Sequence, residues 1–177
     1  MTRCGWTALA AALALVIGMS AGPGGMAPPA HATTPERGPE TGLPLPRFVS
    51  LKSGEGRARR GPNSSHRVDW IYTRRDVPLR VTAEFEHWRR VEDFEGQGGW
   101  MHYSLLSGIR TALVVGDMVP MRSQPRANAT EVAILERGVI ARIMSCDAQW
   151  CRLRAETQRG WVDRAALWGL DPDEVLD

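Results

Sequence analysis

Trp88-Arg89-Arg90-Val91 and Trp150-Cys151-Arg152-Leu153 open two stretches that run in parallel. Gly99-Trp100-Met101 is answered by Gly160-Trp161-Val162, and Leu106-Ser107-Gly108 by Leu167-Trp168-Gly169, at one constant offset once a single residue is deleted from the second copy. Upstream, Ala58-Arg59-Arg60-Gly61-Pro62 stands against Met121-Arg122-Ser123-Gln124-Pro125, and Arg75-Asp76-Val77 against Arg137-Gly138-Val139. A lone Gly-Trp recurs by chance, but ordered anchors do not. A self-match of this size means that one supersecondary unit is used twice.

The local pattern identifies the unit as β. Val81, Ala83 and Phe85 alternate with Thr82, Glu84 and Glu86, as on a half-buried strand, and Trp88 to Glu92 reads as the next strand after a tight Glu86-His87 connection. Helical periodicity is nowhere sustained from Phe48 onward, and Gly-containing breaks separate the short runs, which suits a small barrel or sandwich. The 177 residues are 43% hydrophobic, enough for a core, with a formal charge of +2. Nearly all basic residues are Arg, interleaved with Asp and Glu. This is not the electrostatic footprint of a nucleic-acid binder.

At the N-terminus, Arg3 precedes an apolar run from Trp6 to about Met19, too short to span a bilayer, and Ala30-His31-Ala32 offers a small-x-small cleavage pattern. Residues 1–32 therefore read as a signal peptide. Cys4 lies before the apolar run, the wrong place for a lipid-modified cysteine. The mature chain is expected in the periplasm or outside the cell, with no membrane partner. Residues 33–47, rich in Pro and Gly, read as a flexible linker.

Cys146 and Cys151 remain in the mature chain. An oxidising compartment and a four-residue hairpin loop favour a disulfide. Strand parity opposes it, because Cys146 does not alternate with Ile143 as Cys151 does with Leu153. Free thiols or a metal site are the other readings, although no His lies near the pair in sequence.

The order of the anchors resembles the bacterial Src-homology-3-like domain: Arg-x-Gly-Pro, a central apolar strand, Trp-x-x-apolar, Gly-Trp-apolar and a Leu-containing turn. Leu45-Pro46-Arg47-Phe48-Val49-Ser50-Leu51-Lys52 and Ser104-Leu105-Leu106-Ser107-Gly108 resemble its exported tandem form. The resemblance implies an all-β chain of two tandem SH3-like barrels, residues 48–110 and 111–171; residues 172–177 are expected to trail as an acidic tail, with a helical turn from Pro172 as the alternative. It further implies a non-catalytic module that binds a cell-wall peptide or an envelope protein, without cofactor or metal. A structural role in an envelope assembly, with no small ligand, is the alternative. Two departures carry expectations. Gly56 and Ala58 stand where the family has larger residues, so the first strand of the first barrel is expected to pack loosely, and Gln124 replaces Gly61, so that turn is expected to differ.

Aromatic residues supply the candidate site. Trp70-Ile71-Tyr72 has no aromatic counterpart in the second copy, where Val132-Ala133-Ile134 stands, so recognition is expected in the first barrel. A groove would combine Tyr72, Trp100 and Tyr103 with Arg59 or Arg74 meeting a carboxylate; the alternative is that these residues stabilise the barrel. Trp100 and Trp161 are read as rings covering a barrel end, buried or half-exposed. Trp88 and Trp150 are placed on the outer face, opposite Val91 and Leu153. His102 and Ser104 lack a third orienting group, Ser104 does not sit in a G-x-S-x-G elbow, and Glu92, Asp93 and Glu95 read as a hairpin loop.

Overall fold

The computed structural model describes residues 36–177 and places all of its regular structure, apart from two short 3₁₀ turns, in β-strands. The proposed signal peptide lies outside the described residues. The chain opens with a small hairpin of β1 (Glu36–Arg37) and β2 (Pro44–Leu45). β3 (Arg47–Leu51), β4 (Gly56–Arg59), β5 (Val68–Tyr72), β6 (Pro78–Phe85), β7 (Trp88–Glu92), β8 (Gly98–His102) and β9 (Leu106–Ser107) follow. They form one seven-stranded sheet in the order β5-β4-β8-β7-β6-β3-β9. β10 (Thr111–Val114), β11 (Val119–Arg122), β12 (Glu131–Leu135), β13 (Ile140–Cys146), β14 (Trp150–Ala155), β15 (Gln158–Asp163) and β16 (Leu167–Trp168) form the second, in the order β12-β11-β15-β14-β13-β10-β16. Position for position, the two orders are the same. The chain is thus all-β with the unit built twice.

Irregularities repeat along with the strands. Register shifts fall between Val81 and Ala83 in β6 and between Ile143 and Ser145 in β13, at matching places. Asp76 and Gly138, aligned in the repeat, both adopt positive φ, 63° and 85°. The bulge in β13 also resolves the parity objection to the disulfide. The extra residue shifts the alternation by one, so Ile143 faces Leu153 while Cys146 faces Cys151, and the two are bonded with Cα atoms 4.1 Å apart.

Each sheet closes on its own core. Leu51, Leu79, Val81, Val91 and Met101 fill the first, and Val114, Met121, Ile143, Leu153 and Val162 the second. Each such side chain contributes roughly 1.5–3 kcal/mol when fully buried. The loose packing expected at Gly56 and Ala58 is not found: Ala58 is fully buried, and a Cβ on Gly56 would lie 2.4 Å from Leu51 Cδ1 and 3.1 Å from Met101 Cε. The methionine has changed strands between copies. Ala58 on β4 is matched by Met101 on the neighbouring β8, whereas Met121 on β11 is matched by Val162 on β15.

The turn at Gln124 does not differ either. Asn63 N–H donates to Gly61 O and His66 N–H to Asn63 O; Arg126 N–H donates to Gln124 O and Ala129 N–H to Arg126 O. Gly61 is not in the left-handed region, so its lack of a Cβ serves space rather than φ. A Cβ there would lie 2.6 Å from His66 Nε2, and in the second copy Ala129 replaces His66 and leaves room for Gln124.

The described part of residues 33–47, expected as flexible, is instead latched. Glu84, with no exposed side-chain surface, accepts from the Glu40 and Thr41 amides, from Thr41 Oγ1 at 2.7 Å and from Arg47 Nη2 at 2.7 Å. The expected trailing tail is also docked. Leu176 bridges to Cys146 through two backbone bonds of 2.7 and 3.0 Å, Glu174 pairs with Arg110, and Arg164 donates to the carbonyls of Glu174 and Asp171.

Both copies belong to one unit, Thr34–Asp177. Trp168 packs edge-on against Phe48 (5.1 Å between centroids) and Phe94 (6.1 Å). Thr111 Oγ1 donates to Asp76 O and Arg74 Nη2 to Gly138 O across the same junction.

Candidate functional site

Strand alternation decides which side chains reach the surface. On β7, Arg89 and Val91 are buried while Trp88 is half-exposed; on β14, Cys151 and Leu153 are buried while Trp150 is half-exposed. Each outward tryptophan floors a cleft. In the first copy Trp88, Glu55, Arg57, Arg59, Ser64, His102 and Leu105 enclose about 380 Å³. In the second, Trp150, Met118, Pro120, Arg122, Ala127, Asp163 and Ala166 are among the residues enclosing about 490 Å³. These are the same positions of the repeat, pair by pair: Trp88 with Trp150, Arg59 with Arg122, His102 with Asp163, Leu105 with Ala166.

The backbone that frames the clefts is equally duplicated. His102 Nδ1 accepts from the Ser104 amide at 3.3 Å and caps a 3₁₀ turn, Tyr103–Leu105; Asp163 accepts from Ala165 at 2.9 Å and caps the matching turn, Arg164–Ala166. Tyr103 N–H donates to His87 O and Arg164 N–H to Gln149 O, both at 2.9 Å. The His102 Nδ1 to Ser104 Oγ contact of 2.8 Å therefore belongs to a cap that an aspartate replaces in the other copy.

The five residues expected to form a groove are divided by the structure. Arg59 lines the first cleft, its Nη1 donating to His66 O at 2.7 Å. Tyr103, 51% exposed, adjoins it through His102, with ring centroids 4.9 Å apart. Tyr72 is buried and donates its hydroxyl to Gln97 O at 2.7 Å; burial and the nearby Asp93 carboxylate hold that hydroxyl well above its ordinary pKa. Trp100 is half-buried opposite Arg59 and Arg90, as Trp161 is opposite Arg122 and Arg152. Arg74 reaches the second copy rather than the cleft.

Comparison with known proteins accounts for the duplication. The family model described as "Bacterial SH3 domain" matches residues 52–108 and again 115–169, more than half of the chain. The chain belongs to the bacterial SH3 domain family. Comparison with the curated proteins gives no match. Among solved structures, NlpC2 and NlpC1 from Trichomonas vaginalis are similar at 15% and 14% identity over 70% and 74% of this chain, each with a TM-score of 0.33. The chain spans 48% of the length of each.

Within this tandem of bacterial SH3 domains the clefts differ in chemistry. The first is basic and aromatic: His87, His102 and Tyr103 form a shelf beside Trp88, with Trp88 and His102 edge to face at 5.6 Å. The second sets Met118, Pro120 and three alanines beside Asp117, Asp163 and Arg122, and Arg164, at the position of Tyr103, is committed to the carbonyls of Asp147, Asp171 and Glu174. Sequence reasoning put Trp88 on the outer face but missed it, and His102, as cleft residues. The signal was the repeat itself, since an outward tryptophan written twice has no core position to explain it.

Proposed function

We propose that the protein is an exported, non-catalytic binding module whose first bacterial SH3 domain recognises a cell-wall peptide in the cleft floored by Trp88. The observation that carries this reading is the duplication of the cleft at equivalent positions of both copies, with an exposed aromatic shelf retained at the first. Trp88 and His102 offer flat surface to a peptide backbone, and the Arg59 guanidinium offers its remaining donors to a carboxylate, Arg57 being paired with Glu55 in the same cleft. The disulfide fits an oxidising compartment. Tyr72, Trp100 and Arg74 support the barrel and the junction in this reading.

Co-sedimentation of the purified chain with intact peptidoglycan at moderate salt is the test. Trp88→Ala and Arg59→Ala are each expected to weaken retention about tenfold, as truncation of an anchor in a binding site does. Wild-type protein left entirely in the supernatant would remove the cell-wall form of the proposal and favour a role in assembly.

A further inference from the structure

Arg142 on β13 stands directly opposite Arg154 on β14, and Arg154 directly opposite Arg159 on β15. Buried Ala141 and Ile143, Leu153 and Ala155, and Gly160 flank them, so all three arginines share the outer face. With adjacent strands ~4.8 Å apart, the row is about 10 Å long. Like charges directly opposite one another across a ladder destabilise a sheet. Among the described residues no carboxylate forms a salt bridge with any of the three.

The first copy serves as an internal control. The same row there reads Arg80, Glu92 and Gly98, again in register, and Arg80 forms an ion pair with Glu92. One fold position thus holds a self-neutralised pair in one copy and three unneutralised arginines in the other. Arg142 and Arg154 also line a cavity of about 670 Å³ together with Ile109, Met144 and Leu176. Arg110 lines it too but is committed to Glu174 and Gly169 O, and Asp177, also in the lining, forms no salt bridge with Arg142 or Arg154.

We propose that the Arg142–Arg154–Arg159 row binds a linear polyanion carrying consecutive phosphate groups, at a site distinct from the tryptophan-floored clefts. Guanidinium forks match phosphate oxygens in bidentate geometry. Arginines on adjacent strands about 5 Å apart present a phosphate-binding head that often along a line. Consecutive phosphates supply that density; an extended peptide, whose same-face side chains recur about every 7 Å, does not.

Isothermal titration of the full chain at 0.15 M salt, with tripolyphosphate, orthophosphate and triglutamate as probes, tests the site. Tripolyphosphate is expected to bind at least tenfold more tightly than either of the others. Arg154→Glu, which writes the pairing of the first copy into the second, is expected to lose that binding at least tenfold while raising the melting temperature of the ligand-free protein. Arg90→Glu makes the same change of net charge in the first copy and is expected to leave affinity unchanged. Equal affinity for tripolyphosphate and orthophosphate, equal losses in Arg154→Glu and Arg90→Glu, or triglutamate binding as well as tripolyphosphate would each overturn the proposal.

Discussion

A methyl group on Gly99 would lie 2.5 Å from the Arg59 carbonyl oxygen, and one on Gly160 would lie 2.4 Å from Met121 Cγ and 2.8 Å from the Arg122 carbonyl. The Gly-Trp pair recurs because the strand on its other side in the sheet, β4 or β11, passes too close for a side chain, so the motif was legible for a steric reason. Glu84 was not legible in that way. In sequence it is one polar member of an alternating strand, and nothing local marks it as the anchor of a hairpin that ends almost 40 residues upstream. Burial alone would raise its carboxyl, but the hydrogen bonds from Thr41 and Arg47 and from the Thr41 and Glu40 amides outweigh burial and hold it below the usual range. Because the folded pKa is depressed, the latch contributes its full stability above the ordinary value of 4.5 and loses it as pH falls through the lower folded value. The protection of the Glu40 and Thr41 amides, taken as the ratio of intrinsic to observed exchange rate, is expected to fall over that acid range. Glu84→Gln, which leaves Arg47 and Arg89 without their charge partner, is expected to cost about 2 kcal/mol in urea unfolding and to abolish the acid dependence at those two amides.

At the scale of elements, the tandem keeps its strand order while exchanging its hairpin loops. β6 and β7 are joined tightly at Glu86-His87, with Glu86 at φ 48°, whereas the matching β13 and β14 are joined by the longer Asp147-Ala148-Gln149. β7 and β8 are joined by the long loop from Asp93 to Gln97, whereas β14 and β15 turn tightly at Glu156-Thr157, with Glu156 at φ 50°. The single-residue deletion in the self-alignment falls in the second of these connections, because Val81 to Trp88 and Ile143 to Trp150 are equally spaced. The longer second-copy loop is where the disulfide sits, and closing so short a segment stabilises the hairpin by about 2 kcal/mol on a chain-entropy account. Cys146 also carries the two backbone bonds to Leu176, so the hairpin and the C-terminal segment are coupled. The docking of the tail is not legible in the sequence because its anchors, Arg110 and Arg164, are distant in sequence and look like ordinary surface arginines. Replacing both cysteines by serine is expected to lower stability by about 2 kcal/mol and to speed exchange at the Leu176 amide more than at amides of β3 to β9. Equal effects in the two sheets would separate the tail from the hairpin.

At the scale of the molecule, what matters is whether two small barrels behave as one body. A unit of roughly 60 residues buries a modest fraction of its surface and is marginal alone. The contacts that would join them were beyond sequence reasoning, because Phe48, Phe94 and Trp168 come from three separated segments and the last looks like an incidental residue in a Leu-x-Gly turn. In the structure Trp168 belongs to the second sheet and packs edge-on against Phe48 and Phe94 of the first copy, while the guanidinium of Arg110 lies 5.8 Å from the Phe48 ring centroid. Such aromatic contacts contribute beyond their buried area. Thermal unfolding of the wild-type chain is therefore expected to be a single transition, with calorimetric and van't Hoff enthalpies equal. Trp168→Ala removes the shared ring, and because that ring is only half-buried the cost should fall near 2 kcal/mol, below the range for a fully buried tryptophan. The loss acts on the coupling as well as on the second barrel, so the variant is expected to melt in two steps, with the calorimetric enthalpy exceeding the van't Hoff value. A variant that melts lower but still in one step would show that the backbone and Arg74 contacts across the junction suffice to couple the barrels without Trp168.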